Sequence, residues 1–201
     1  MRHKIHLGFI TSNAGDDIPG STIKWTLQNY YNYFESTIVV DGRLTDKAKE
    51  FYKTIPNIII VDSPWTGRHV DQYIKRQKVI PEGDWLLGLD CDESPTDELA
   101  KSIKEIVNSL EYSAIPIASP PAYNMWCKSN SNKFYKTSWF DPKNPPQGSK
   151  RLLYKICQDL RYIINITGTH VTPFIPSNQR LALLPFGHYH FKSPETTIFN
   201  A

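Results

Sequence analysis

The sequence predicts an α/β fold in which helices cover a mostly parallel central sheet, giving a three-layer sandwich. Residues 1–110 alternate short apolar runs with amphipathic stretches, an order typical of consecutive strand–helix units. The run Asn57–Val61 is apolar after its first residue, as expected of a strand buried on both faces of a parallel sheet. The chain has 201 residues, a length that fits one domain. We therefore expect residues 1–201 to form a single domain with two parts, 1–110 and 111–201.

Each element of the first part has a local signal. Ser21–Phe34 carries apolar residues at helical spacing, and Ser21 or Thr22 is available as its cap. Thr45 and Thr96 are suited to cap two later helices. The predicted strands are Ile5–Ile10, Ser36–Val40, Asn57–Val61 and Trp85–Leu89. The predicted helices are Ser21–Phe34, Asp46–Thr54, Val70–Ile80 and Thr96–Leu110.

The second part has weaker signals. Its strand-like runs are Ala114–Ala118, Arg151–Ile156, Tyr162–Ile166 and Leu181–Leu184. Between the first two runs, residues 119–150 are rich in Pro, Asn, Ser, Lys and aromatic residues, which predicts a long and partly ordered loop. Such a loop is uncommon in a compact domain unless it serves a binding site.

Composition narrows the class of protein. Hydrophobic residues make up 40% of the chain, charged residues 21%, and the net charge is +3, which is typical of a globular protein and gives little reason to expect nucleic-acid binding. No stretch approaches the length of about 20 apolar residues that spans a membrane. Cys91, Cys127 and Cys157 are far apart, a pattern that favours reduced thiols. These observations predict a cytoplasmic protein without a membrane span.

Three acidic residues follow the predicted strand Trp85–Leu89. In parallel sheets, ligands bind at the carboxyl ends of strands, and this is where Asp90, Asp92 and Glu93 lie. Asp90 and Asp92 are two apart, so in an extended turn both can face one ion. Carboxylate oxygens suit Mg²⁺ or Mn²⁺, which stabilise a departing nucleoside diphosphate. The alternative is a solvated acidic turn before the next helix.

Two segments together resemble family 2 glycosyltransferases. Ser36–Gly42, followed by Asp46, is similar to the family's "IVVDSGSTD" turn, and Gly83–Glu93 is similar to its "GDWVLFLDADE" segment. Arg151–Tyr154 and His188–Ser193 resemble the later "RLF" and "HYxxRS" elements of the subgroup that modifies lipopolysaccharide cores. The resemblance implies a GT-A fold, which is a Rossmann-like sandwich, and a nucleotide-sugar donor.

The resemblance implies roles on the donor side of the site. Asp41 would read the nucleobase, and the loop Thr11–Gly15, with Thr11 and Asn13, would wrap the nucleotide. Arg76 matches a basic residue that could face the diphosphate.

The resemblance also implies metal ligands. Asp92 would bind Mg²⁺ or Mn²⁺ directly, while Asp90 would bind the metal or touch the ribose or a metal-bound water. His188 resembles the C-terminal histidine that often completes metal or diphosphate binding in this fold. One departure concerns the donor turn, where Gly42–Leu44 replaces the family's Ser-Gly-Ser.

The catalytic base has two candidates. Inverting transfer, which the family leads us to expect, needs a base near the acceptor hydroxyl. Asp141 lies where relatives carry a "WYPD"-like acid, although Asp141-Pro142 is also a common turn dipeptide. Glu93 is the other candidate, unless it serves to cap the helix that begins near Thr96.

Other patterns leave alternatives open. His188 and His190 would share a face of a strand, but no third Cys or His has the spacing of a zinc site. The aromatic residues of 119–150 are suited either to stack on an acceptor sugar or simply to pack the loop; they are Tyr123, Trp126, Tyr135 and Trp139.

The sequence therefore predicts a metal-dependent, hexosyltransferase-like enzyme with a UDP- or GDP-sugar donor. Its acceptor would be a glycan, a lipid-linked molecule or a protein. The alternatives are a nucleotidyltransferase on a similar sheet and a non-catalytic carbohydrate- or nucleotide-binding relative.

Overall fold

The computed structural model describes residues 3–11, 22–127, 134–137, 150–164 and 171–192. Within these ranges, seven strands form the central sheet: β1 (Ile5–Thr11), β2 (Ser36–Asp41), β3 (Ile58–Asp62), β4 (Trp85–Asp90), β6 (Ile117–Ser119), β9 (Leu153–Lys155) and β12 (Leu181–Leu183). The α-helices of the same ranges are α1 (Ile23–Tyr30), α2 (Asp46–Tyr52), α3 (His69–Lys78) and α4 (Asp97–Tyr112). A short 3₁₀ helix, Tyr31–Tyr33, follows α1.

The strands of the central sheet have the order β12-β6-β9-β4-β1-β2-β3. All neighbouring pairs are parallel except those of β9, which runs antiparallel to both β4 and β6. Leu87 of β4 pairs with Leu153 of β9. Because the two strands run in opposite directions, the residues before β9 lie at the edge of the sheet where β4 ends.

Smaller β-structures flank this sheet. Among the described residues, a four-stranded sheet has the order β5-β13-β7-β8, formed by β5 (Glu93–Pro95), β13 (His188–Lys192), β7 (Ala122–Cys127) and β8 (Phe134–Thr137). β10 (Arg161–Ile164) and β11 (Val171–Phe174) form an antiparallel pair. Since β5 begins three residues after β4 ends, the smaller sheet meets the central sheet at the acidic turn.

Two of the predicted helix starts are confirmed in detail. The side chain of Thr45 accepts a hydrogen bond from the backbone N–H of Ala48, and the side chain of Thr96 accepts one from Leu99. Both satisfy a backbone donor that the first turn of a helix leaves unpaired. The buried face of α4 then repeats at helical spacing through Leu99, Ile103, Val107 and Leu110.

The largest apolar cluster lies between the central sheet and helices α1 and α4. Trp85, at the start of β4, is fully buried there, and its indole N–H donates to Glu111 on α4 at 2.7 Å. The indole N–H therefore has a partner, as a buried donor requires.

One expectation about β3 is wrong. Its apolar sequence predicted burial on both faces, yet Ile59 and Ile60 are 38% and 36% exposed. The reason is position, because β3 is at one edge of the sheet, and among the described strands it pairs with β2 alone. Continuous hydrophobicity alone does not separate an edge strand from a central one.

The predicted loop 119–150, expected to be partly ordered, contains two strands in its described parts, because β7 and β8 form an antiparallel pair there. β7 pairs in addition with β13, a strand more than sixty positions later, so its stability depends on a partner that local sequence does not reveal. Residues 128–133 and 138–149 lie outside the described ranges. Within the described chain, no helix combines the length and the apolar character needed to cross a membrane.

Candidate functional site

Acidic and polar residues meet at the carboxyl edge of the central sheet. Strand pairing sets Ile10 beside Asp90, Thr11 beside Asp41, and Asp41 beside Asp62. Neighbouring strands β4, β1, β2 and β3 therefore all end along one line. This is the edge at which open parallel sheets bind ligands, and the sequence placed Asp41 and Asp90 there.

Asp41 is fully buried at the end of β2. Its Oδ1 accepts a hydrogen bond from the backbone N–H of Arg43, and its Oδ2 accepts one from the hydroxyl of Tyr52, both at 2.9 Å. Burial and the neighbouring Asp41 raise the pKa of Tyr52, so this hydroxyl remains a donor. The carboxylate is thus fixed in position, and its role in reading a nucleobase stays a prediction.

Thr11 ends β1 beside Asp41. Its side chain is buried, and its hydroxyl has no hydrogen-bond partner among the described residues. The backbone oxygen of Thr11 accepts from Gly42 at 2.7 Å, which ties the ends of β1 and β2 together. Asn13 and the rest of the loop that would wrap the nucleotide lie outside the described residues.

The turn after β4 is organised by a lysine. The ammonium group of Lys150 donates to Asp90 Oδ2 at 2.5 Å and to Glu93 Oε1 at 2.6 Å. The other oxygen of Glu93 accepts the backbone N–H of Asp90 at 2.9 Å. Asp90 Oδ1 accepts from the hydroxyl of Tyr73 at 3.3 Å. Lys150 reaches this turn because it directly precedes the antiparallel segment that leads into β9.

The charges of this turn stabilise one another. Burial alone would raise the pKa of Glu93, but the Lys150 ammonium and His188 outweigh it and hold the pKa of that carboxyl well below 4.5. Burial alone would lower the pKa of Lys150, but Asp90 and Glu93 raise it well above 10.5. Both members of the pair are therefore charged at neutral pH, as a buried ion pair requires.

The histidines of β13 face this turn. His190 Nε2 lies 3.2 Å from Asp92 Oδ2, and the backbone N–H of Phe191 donates to the backbone oxygen of Asp92 at 2.8 Å. His188 is buried, with Nε2 at 3.7 Å from Glu93 Oε1. The antiparallel pairing of β13 with β5 produces this arrangement. The sequence assigned His188 to the metal with Asp92, but the structure brings His190 to Asp92 and His188 to Glu93.

The predicted role of Arg76 is contradicted by its location. Its side chain is buried beneath the sheet, where it donates to the backbone oxygen of Gly8 and to the hydroxyl of Tyr154, both at 3.1 Å. Gly8 and Gly88 are directly paired on β1 and β4. A Cβ atom built on Gly88 would lie 2.5 Å from Arg76 Nη2. The two glycines thus leave the space that this buried side chain fills.

The acidic turn offers few ligands to a divalent cation. The described residues include no group of three or more His, Cys, Asp or Glu side chains placed to hold a metal ion. Asp92 and His190 nevertheless lie together and are 28% and 27% exposed. Mg²⁺ is often held by one or two carboxylates with water and substrate phosphates, so Asp92 can supply the carboxylate of such a set, with His190 next to it.

Sequence reasoning missed Lys150, Tyr73 and Tyr52, which hold the carboxylates of the site. A signal for Lys150 was present, since it directly precedes the "RLF"-like segment at Arg151. Tyr52 and Tyr73 lie on amphipathic helices, where an aromatic residue reads as a core residue. Asp141, the candidate base, lies outside the described residues.

Comparisons with solved structures define the fold class. The chain superimposes on S. aureus TarS residues 1–349 in complex with UDP, with a TM-score of 0.58 and 15% identity, covering 96% of this chain and 62% of that one. For the complex with UDP-GlcNAc the TM-score is 0.58 and the identity 13%, with 94% and 58% covered. Together with the sheet topology, these neighbours show that the chain has the GT-A fold predicted from the sequence.

The similarity to TarS covers only part of the TarS chain and is weak in sequence. The chain spans 62% and 58% of the length of the two TarS structures. No protein-family model and no curated protein sequence matches it. The similarity is therefore one of fold, and function has to be argued from the residues at the site.

Proposed function

We propose that the chain is a glycosyltransferase that moves a sugar from a nucleotide-sugar donor to an acceptor hydroxyl with the help of Mg²⁺ or Mn²⁺. The observation that carries this proposal is the Asp92–His190 pair at the carboxyl end of β4, on a GT-A sheet with Asp41 two strands away. Fold alone does not assign an activity. The chemical argument is that a partly exposed carboxylate and an imidazole lie together where the parallel strands end.

In this proposal Asp92 and His190 hold the cation, which supplies positive charge to the diphosphate as it leaves. Asp41, fixed by Tyr52 and the backbone of Arg43, offers a rigid acceptor edge for the nucleobase. A carboxylate held in one position loses little conformational freedom when a ligand binds, which favours specific recognition. The residues of the chain would thereby bind both the nucleobase and the diphosphate of the donor.

The proposed base is Asp141 rather than Glu93. A general base works best when its pKa lies near the working pH. Glu93 is fully buried, and its pKa is held well below the ordinary range by Lys150 and His188. A carboxylate in that state accepts protons poorly, so we assign Glu93 to the support of the turn.

The donor class and the family membership are further parts of this proposal. TarS is seen with UDP and UDP-GlcNAc, so a UDP-sugar is the first donor to test, followed by GDP-sugars. Family 2 membership, hexosyl transfer and inversion rest on the motifs at Ser36–Gly42 and Gly83–Glu93. The likeness of Arg151–Tyr154 and His188–Ser193 to lipopolysaccharide-core enzymes directs the acceptor search toward glycans and lipid-linked molecules, with proteins next. We infer a cytoplasmic location from the cysteine pattern.

The test is thermal stabilisation by nucleotides with and without Mn²⁺. Saturating UDP or GDP at about 100 times its Kd adds about 2.7 kcal/mol of stability, which is readily measured. We expect stabilisation that requires Mn²⁺ and is lost in Asp92→Asn and His190→Gln. Glu50→Gln, at an exposed carboxylate on α2, is the matched control and should respond as the wild type. If no nucleotide stabilises the protein with any divalent cation, the donor site is wrong.

A further inference from the structure

Lys150 gives the acidic turn an internal counter-ion. Its ammonium group lies 2.5 Å from Asp90 Oδ2 and 2.6 Å from Glu93 Oε1. Glu93 in turn accepts the backbone N–H of Asp90, so the three residues form a closed ring of hydrogen bonds. With Tyr73 donating to Oδ1, both carboxylate oxygens of Asp90 have a donor.

This ring competes with a divalent cation for Asp90. Mg²⁺ binds carboxylate oxygen at about 2.1 Å, so a cation on Asp90 Oδ2 would lie within a few ångströms of the Lys150 nitrogen. Two like charges at that separation repel strongly in a partly buried site. Asp92 has no such lysine among the described residues, and its neighbour is His190.

Lys150 cannot simply turn away from Asp90 to make room. Glu93 is fully buried, and an ionised carboxylate without a counter-ion is costly to bury. Lys150 supplies the closest positive charge to Glu93 among the described residues, at 2.6 Å, while His188 lies at 3.7 Å. The need of Glu93 for a counter-ion therefore keeps the ammonium beside Asp90.

We propose that Lys150 is a positioning residue that keeps Asp90 paired with an ammonium group and outside the ligand set of the divalent cation. The cation is then left with Asp92 and His190, which alone make a weak site. It binds tightly only when the donor diphosphate supplies further oxygen ligands, so metal and nucleotide bind as one unit. This inference rests on the proposed metal role of Asp92 and His190.

The experiment measures Mn²⁺ binding to the nucleotide-free protein by calorimetry. The wild type should bind Mn²⁺ weakly without UDP. Lys150→Met frees the Asp90 carboxylate and should bind Mn²⁺ about tenfold more tightly or better, the scale on which neighbouring groups tune metal sites. Adding Asp90→Asn to that variant should return the affinity to the wild-type value. Lys155→Met is the matched control, since Lys155 pairs with Glu111 at 2.8 Å far from Asp90, and it should bind Mn²⁺ as the wild type does.

A second variant keeps the test informative if Lys150→Met does not fold. Glu93→Gln combined with Lys150→Met removes the buried carboxylate together with its counter-ion, and it should also gain Mn²⁺ affinity through Asp90. In Lys150→Met itself, Mn²⁺ should raise the melting temperature more than in the wild type, which a merely structural lysine would not produce.

The outcomes separate this inference from the proposed function. If neither Lys150 variant binds Mn²⁺ more tightly, or if Asp90→Asn in the wild type weakens Mn²⁺ binding as much as Asp92→Asn does, the role of Lys150 is wrong. If Asp92→Asn leaves Mn²⁺ and nucleotide binding unchanged, the proposed metal site fails, whereas a gain in Lys150→Met that depends on Asp90 would still support the counter-ion.

Discussion

Two cationic side chains, Arg76 beneath the sheet and Lys150 at its carboxyl edge, are held in opposite ways. Beneath the sheet, Arg76 donates to neutral oxygens such as the Tyr154 hydroxyl, and no carboxylate of the described residues pairs with it. At the edge, Lys150 lies between the carboxylates of Asp90 and Glu93.

The chemistry of the two cations explains the difference. A guanidinium spreads its charge over a plane and is weakly hydrated, so neutral oxygens and an aromatic face can surround it. Arg76 has both, with its guanidinium carbon 4.7 Å from the centre of the Tyr73 ring. The ammonium of Lys150 is compact, strongly hydrated and only partly buried, and the two carboxylates compensate the water it has lost. The buried arginine thus serves the packing of the sheet, while the partly buried lysine holds the carboxylates of the site.

The largest expected effect is on the arginine side of the comparison. Arg76→Ala should lower the free energy of unfolding by about 4 kcal/mol, because it leaves a cavity and unpaired buried oxygens. Urea denaturation measures this loss. Lys78→Ala, on the exposed face of the same helix, should stay within about 0.5 kcal/mol of the wild type. If Arg76→Ala keeps its stability but no longer binds nucleotide, then Arg76 contacts the donor and the comparison fails.

The second prediction concerns the stability of the Lys150 site when one of its carboxylates loses its charge. Glu93→Gln should cost about 3 kcal/mol at pH 7, since both carboxylate oxygens accept hydrogen bonds and the new amide sets an NH₂ group against a donor. The pKa of Glu93 is held below 4.5, so its contribution is complete above that pH and is lost as the pH falls through the lowered value.

Denaturation curves at several pH values check the same variant. The difference in free energy of unfolding between wild type and Glu93→Gln should be constant above pH 4.5 and shrink below it. A difference that instead grows toward acidic pH would mean that Glu93 is protonated in the folded protein.

The smallest expected effect on stability is at Gly88, which leaves space for the Arg76 side chain. Gly88→Ala should cost about 2 kcal/mol in the wild type, because the new methyl group meets the guanidinium. In Arg76→Ala the space is vacant, so the same change should cost much less, and a double-mutant cycle measures the coupling. Strictly additive losses would show that Gly88 is required for another reason.

Much of the fold of residues 1–110 is readable from the sequence because its signals are local. Apolar runs mark β1, β2 and β4, and threonine caps mark the starts of α2 and α4. β7 and β8 carry no comparable signal, since their pairing partners define them. The edge position of β3 is likewise a property of the whole sheet.

The residues of the candidate site also divide into those with a local sequence signal and those without one. Asp41, Asp90 and Asp92 were predicted because each follows a strand or a motif in the chain. Lys150 was not, because its partner Asp90 lies 60 positions away and only the antiparallel insertion of β9 brings them together. The sequence of a helix does not show whether a basic residue such as Arg76 faces solvent or the sheet. Gly8 and Gly88, which leave room for it, become neighbours only when the sheet forms.

The antiparallel strand β9 also links the opening of the acidic turn to the opening of the central sheet. β9 lies between β4 and β6 and pairs with both. Lys150, just before it, supplies the ammonium group that compensates the buried carboxylate of Glu93. Local unfolding that releases β9 would therefore leave Glu93 without its nearest positive charge. We expect β9 and the acidic turn to unfold locally as one unit, so their backbone amides should exchange with solvent at similar rates.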